Sequence, residues 1–266
     1  MRLNAGFRKE TGFGPERVLL QPWLTEIMQD ERYITIPNLF TSINLFCGFV
    51  SVTLTVAGDY SAAAWLIVIA GIIDAFDGSV ARLLNQRTEF GLEMDSLGDV
   101  ISAGVAPSVL VYVYHFRSLG HRGVLGLILA FMPLLFATFR LARFNVLTYR
   151  EGKKRDFCGM PAPMAAATLA SAVIMAEYTG LPVFLRAMVV LVPCVSLLMV
   201  SRLEFAGYPR FTLRERGRNR TRLIVLMITI VCAFFFPEPT LFTAMMIYLV
   251  SGPVLFIKER TAKQDR

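Results

Sequence analysis

The sequence predicts an all-α integral membrane protein, a polytopic helical bundle of about eight transmembrane helices preceded by an interfacial amphipathic helix. Three observations carry that prediction. Of the 266 residues, 55% are hydrophobic and only 18% are charged, and the mean hydropathy is +0.55. The apolar residues come in blocks of about 20, the length that crosses a bilayer core. Lys and Arg fall mostly between those blocks, so the formal net charge of +7 collects at the aqueous ends. Such a chain points to an anionic membrane surface or anionic ligands, with no nucleic-acid partner.

Taken in order, residues 1–34 read as a cytoplasmic N-terminal segment. Within it, 15–33 (PERVLLQPWLTEIMQDERY) gathers Leu19, Leu20, Trp23, Leu24 and Ile27 on one side, the pattern of a helix lying in the interface. The start lacks the basic-then-apolar pattern of a cleaved signal peptide. Residues 35–257 form the transmembrane domain, with spans over 35–57, 60–83, 96–116, 123–145, 160–179, 181–201, 220–236 and 239–257. The fifth is Ala-rich and the last two are short. Residues 258–266 are left as a cytoplasmic tail. The four cysteines, Cys47, Cys158, Cys194 and Cys232, show no metal-binding spacing, and three of them sit in apolar runs as small hydrophobes.

Orientation follows from the cations. Eight spans put both termini on one side with the connections near 84–95, 146–159 and 202–219. Those segments hold Arg2, Arg8, Lys9, Arg17, Arg32, Arg87, Arg150, Lys153, Lys154 and Arg155, and later Arg202, Arg210, Arg214, Arg216, Arg218, Lys258, Arg260 and Lys263. The opposite connections hold little beyond Arg117 and Arg122. The positive-inside rule therefore places both termini at the cytoplasmic face of the inner membrane. His115 and His121 fall on the outer side.

The anomaly in this oily chain is DAFDGSVARLLNQRTEFGLEMDSLGD at 74–99. A carboxylate near hydrocarbon costs roughly 2.5 kcal/mol or more. Asp74 and Asp77 are three apart near the cytoplasmic end of the second span. Asp95 and Asp99 are four apart at the start of the third, so each pair shares a helix face. Two antiparallel helices can aim the pairs at each other. The resulting oxygen nest suits Mg²⁺, Mn²⁺ or Ca²⁺ over zinc. Gly78 and Ala81 lack bulk, and Arg82 offers a planar fork for phosphate. Bland readings compete: a helix cap at Asp95, a structural Asp–Arg pair, or a carboxylate pathway in a divalent-cation transporter. Against the last, all four acids lie toward one membrane side.

The full spacing, D-x2-D-G-x2-A-R-x8-G-x3-D-x3-D, is met by Asp74, Asp77, Gly78, Ala81, Arg82, Gly91, Asp95 and Asp99. It resembles the signature of the CDP-alcohol phosphotransferase family of integral membrane enzymes. That resemblance implies displacement of CMP from a CDP-linked donor by an alcohol. It also implies metal at Asp74, Asp77 and Asp95, with Asp99 sharing a second ion and acting as general base. Gly78, Ala81 and Arg82 would border the CDP group, and Asn38 and Thr41 would neighbour the nucleotide or phosphate. For Asn38 and Thr41 the plain alternative is a polar helix start after Pro37.

Further stretches, IPNLFTSINLFCGFVSV at the first span, DSLGDVISAGVAPSVLVY, RLARFNV at 140–146, FCGMPAPMAAA at 157–167 and LMVSRLEF at 198–205, resemble the membrane-embedded phosphatidylserine synthases of that family. The similarity covers about 36–205, with Met160 and Ala162 standing where the pattern has Leu and Ser. It implies CDP-diacylglycerol and L-serine as substrates in a lipid membrane, and a homodimer. Glycerol phosphate or inositol phosphate are the alternative acceptors. Serine needs partners for a carboxylate and an ammonium. Arg140 and Arg143, three apart, could clamp the carboxylate, with Asn145 as a polar neighbour. They could equally anchor a helix end. Ser96 and Ser102 lie beside Asp99 in sequence, Ser102 seven residues after Asp95, and either could touch the amino acid or merely bond a helix carbonyl.

Overall fold

Helix α1 (Ile36–Ala57) and helix α2 (Tyr60–Leu83) are joined by two residues, Gly58 and Asp59, and form a tight antiparallel hairpin. Gly58 has φ 91°, the left-handed conformation that ends helices at glycine, and the Asp59 N–H closes the last turn by donating to the Leu54 carbonyl at 3.0 Å. Asp59 then caps α2, its carboxylate accepting from the Ala62 N–H at 3.0 Å. Asp59→Ala is expected to cost about 1 kcal/mol. A lowered Tm of the detergent-purified protein, with unchanged CDP-lipid binding, is the measurement; an unchanged Tm would remove the cap from the account.

The computed structural model describes residues 36–83, 89–118, 123–151, 159–201, 203, 205, 232 and 234–264. After α2 come α3 (Glu89–Asp99), a π-helical turn at Val100–Val105, α4 (Ala106–Tyr114) and a 3₁₀ turn at Phe116–Ser118. Then follow α5 (Val124–Glu151), α6 (Ala162–Thr179), α7 (Pro182–Val200) and α8 (Pro237–Gln264). The protein is an all-α, multi-pass membrane bundle. Among the described residues, four helical stretches are long and apolar enough to cross a bilayer: Asn38–Ala57, Phe90–Tyr114, Val124–Val146 and Pro182–Val200. In α2 the stretch Tyr60–Phe76 is an apolar helix that already includes Asp74. Of the expected span at 220–236 only residues 232 and 234–236 are described, and the amphipathic helix at 15–33 lies outside the described residues.

The third span differs from its expected 96–116. Helix begins at Glu89, so Asp95 stands inside α3 and does not cap it. The Ala-rich α6 is the most enclosed helix, with twelve buried residues on all its faces. It packs against α2, α7 and α8, its small side chains letting neighbouring backbones come close. Met160 and Ala162, the two departures from the family pattern, are fully buried here. The Met160 N–H donates to the Leu198 carbonyl at 3.0 Å, tying the start of α6 to the end of α7.

α1 is the wall of the site. It packs on α2, α3, the π turn and α4. Its inward stripe reads Asn38, Thr41, Asn44, Gly48, Ser51 and Thr55, all buried. Its other side exposes Leu39, Phe46, Phe49 and Val56, suited to lipid. Within hydrocarbon such polar groups need internal partners. The Ser51 hydroxyl donates to the Ala63 carbonyl of α2 at 2.8 Å, and the Thr55 hydroxyl to the Ser51 carbonyl. At Gly48 there is no room for a side chain: a Cβ would lie 2.9 Å from the Ser102 Cα in the π turn.

Candidate active site

Three carboxylates converge from two helices. Asp74 comes from α2, and Asp95 and Asp99 come from successive turns of α3. One oxygen from each lies within 4.8 Å of the others. Asp99 is buried at 7% exposure, while Asp74 and Asp95 are half-buried. Three like charges this close repel one another unless a cation joins them, and their donors are all hard oxygens. The cluster therefore fits a divalent metal, with Asp74, Asp95 and Asp99 able to hold it. Asp77, Gly78, Ala81 and Arg82 lie on the last turns of α2, one to two turns beyond Asp74, and their side chains lie outside the described residues.

Asp99 has the richest surroundings. The Asn44 amide nitrogen donates to its Oδ1 at 3.3 Å in a buried contact. Asp99 also feels the like charges of Asp74 and Asp95 and the opposite charge of Arg140 on α5. Arg140 in turn feels the Tyr248 phenol of α8 and the charge of Arg143. The Nε of Arg140 and the Oδ1 of Asn44 are buried without a hydrogen-bond partner among the described residues. Asn38 and Thr41 are buried on α1 at 6% and 2% exposure. Thr41 meets α3 at Gly98, where a Cβ would lie 3.4 Å from the Thr41 Cγ2, one residue before Asp99.

The remaining residues expected at the acceptor pocket separate into groups. Ser96 donates to the Leu92 carbonyl at 3.0 Å, and the Asn145 amide nitrogen donates to the Ser96 Oγ at 3.0 Å. That pair links α3 to α5. Arg143 is exposed, on the same helix as Arg140. Ser102 is buried in the π turn against α1. There it meets Gly48, one helical turn along α1 from Asn44 and its contact with Asp99. Sequence reasoning missed Asn44. Its signal was present, since Asn38, Thr41 and Asn44 recur every three residues along one edge of α1.

Residues 34–255 match the CDP-alcohol phosphatidyltransferase family. The chain is 34% identical over 227 residues to a CDP-diacylglycerol–serine O-phosphatidyltransferase of Helicobacter pylori, covering 83% of this chain and 90% of that one. It is 36% identical over 191 residues to an archaetidylserine synthase of Methanothermobacter thermautotrophicus, covering 69% and 75% respectively. Over 186 residues it is 31% identical to a CDP-diacylglycerol–serine O-phosphatidyltransferase of Bacillus subtilis, with 69% of this chain and 97% of the relative aligned.

Proposed function

This chain belongs to the CDP-alcohol phosphatidyltransferase family, and we propose that it transfers the phosphatidyl group of CDP-diacylglycerol to the hydroxyl of L-serine, giving phosphatidylserine and CMP. The observation that carries the reading is the convergence of Asp74, Asp95 and Asp99 beside Asn44. The serine specificity is supported by what the relatives in Helicobacter pylori and Bacillus subtilis are named for.

In this mechanism the serine oxygen attacks the lipid-side phosphorus as Asp99 takes its proton. The new oxygen–phosphorus bond forms while the bond to CMP breaks, and CMP leaves with that electron pair. Asp74, Asp77, Asp95 and Asp99 would hold Mg²⁺ or Mn²⁺, with Ca²⁺ as the third hard cation of suitable chemistry. A bound divalent cation supplies charge that offsets the charge developing on the phosphoryl oxygens and on CMP. Asn44 keeps Asp99 oriented, and Arg82, Asn38 and Thr41 border the CDP group. Arg140, Arg143, Asn145, Ser96 and Ser102 remain the candidates for the serine pocket. Eight spans with both termini and the site at the cytoplasmic face accord with the distribution of Lys and Arg.

The test incubates purified protein, Mg²⁺ or Mn²⁺ and CDP-diacylglycerol with a panel of alcohols. CMP release with serine alone supports the assignment; release with glycerol phosphate and not serine overturns the acceptor. Chelation with EDTA is expected to lower CMP release by about 100-fold or more, with recovery on adding Mg²⁺ or Mn²⁺. Full activity after exhaustive chelation would remove the metal from the mechanism.

A further inference from the structure

Asn44 is 1% exposed and sits in the membrane-spanning α1, yet only one end of its amide is satisfied. Its nitrogen faces the Asp99 carboxylate at 3.3 Å. A carboxylate accepts and does not donate when ionised, so this contact fixes which end of the amide is which. The carbonyl oxygen is the other end of the same amide, and it has no hydrogen-bond partner among the described residues. An orphaned acceptor costs about 1–3 kcal/mol in a buried position, so native structures rarely leave one without a partner.

We infer that Asn44 determines acceptor specificity: its amide nitrogen holds Asp99, and its amide oxygen accepts a hydrogen bond from the ammonium group of the incoming amino acid. The inference rests on the serine reading given above and deepens it. Serine carries its hydroxyl and ammonium on adjacent carbons. Asp99 and the Asn44 oxygen are two acceptors linked through one amide, a pairing that a hydroxyl and a neighbouring ammonium can share. The other orphaned polar atom near Asp99 is a donor, the Arg140 Nε. An acceptor and a cationic donor around one base match a zwitterion, whereas glycerol phosphate or inositol phosphate would bring no ammonium to the Asn44 oxygen. A site that has to hydrogen-bond a substrate group discriminates strongly against analogues lacking it.

The experiment compares L-serine with 3-hydroxypropanoate, which keeps hydroxyl and carboxylate but lacks the ammonium. In Asn44→Ala the KM for serine is expected to rise about 10- to 100-fold, the scale of a lost hydrogen bond to a charged group. The inhibition constant of 3-hydroxypropanoate against serine should change by less than about threefold, because that molecule never used the missing oxygen. Metal-dependent CDP-diacylglycerol binding reports that the variant is folded. Should the alanine variant prove too unstable to purify, Asn44→Leu keeps the side chain's volume while withdrawing the amide, and the same comparison applies. Equal changes in both constants, or a fall in kcat with an unmoved serine KM, would overturn the inference and leave Asn44 as a holder of Asp99 alone. A wild-type protein that does not use serine at all overturns instead the acceptor assignment on which the inference stands.

Discussion

Asp99→Asn is expected to lower CMP release by about 10³-fold, within the range that a positioned general base contributes. Asparagine preserves the shape of the side chain while removing the negative charge and the ability to take a proton from serine. Asp99 is the most enclosed of the three clustered acids and the one that Asn44 holds. Asp74 and Asp95 keep two carboxylates in place, so metal-dependent binding of CDP-diacylglycerol should survive with a modest loss. The two readouts separate the roles. Lost turnover with retained donor binding assigns Asp99 to the proton, whereas parallel loss of both assigns it to the metal. Turnover within tenfold of wild type would remove it as the base.

The second large effect concerns a residue without a side chain. In Gly48→Ala the new Cβ would stand 2.9 Å from the Ser102 Cα, against backbone that has no rotamer to relieve the clash. Overpacking of this kind costs about 1–3 kcal/mol. Relief requires α1 to move away from the π turn, and Asn44 lies one helical turn earlier on the same stripe. The expected result is a lower Tm together with a reduced kcat, since Asp99 immediately precedes that turn. An alanine variant with wild-type Tm and kcat would show that α1 and the π turn are not in rigid contact.

Much of this was legible in the primary structure because two of its signals are strong. Apolar blocks of about 20 residues outlined the helices at 36–57, 60–83, 162–179 and 182–200 to within two residues. They also outlined the start of the helix at 124–151, which runs six residues past its expected end. The aspartate spacing singled out Asp74, Asp95 and Asp99 before their oxygens were known to meet. Three things were not legible. The third span was started late because Glu89 and Glu93 make the first turns of α3 look like a polar connection, although the helical ladder already runs through them. The π turn at Val100–Val105 leaves no mark in side-chain character, so an α-helical period was carried past Asp99 to Ser102. Asn44 stands among Phe, Leu and Ile, where a single amide reads as an exception. Its meaning emerges only when α1 is followed along 38, 41, 44, 48, 51 and 55 as a continuous edge facing α2, α3 and the π turn.

The enclosure of α6 also bears on how the chain enters the bilayer during synthesis. A helix surrounded by protein has little surface for lipid to reward, and alanine gives the insertion machinery a weaker signal than leucine or phenylalanine. α7, two residues downstream, is long and strongly apolar. The pair can therefore be inserted as one hairpin, the second arm carrying the first across. On that route the helix at the centre of the finished bundle is the one that depends most on others to arrive, and it is held only once α2 and α8 close around it.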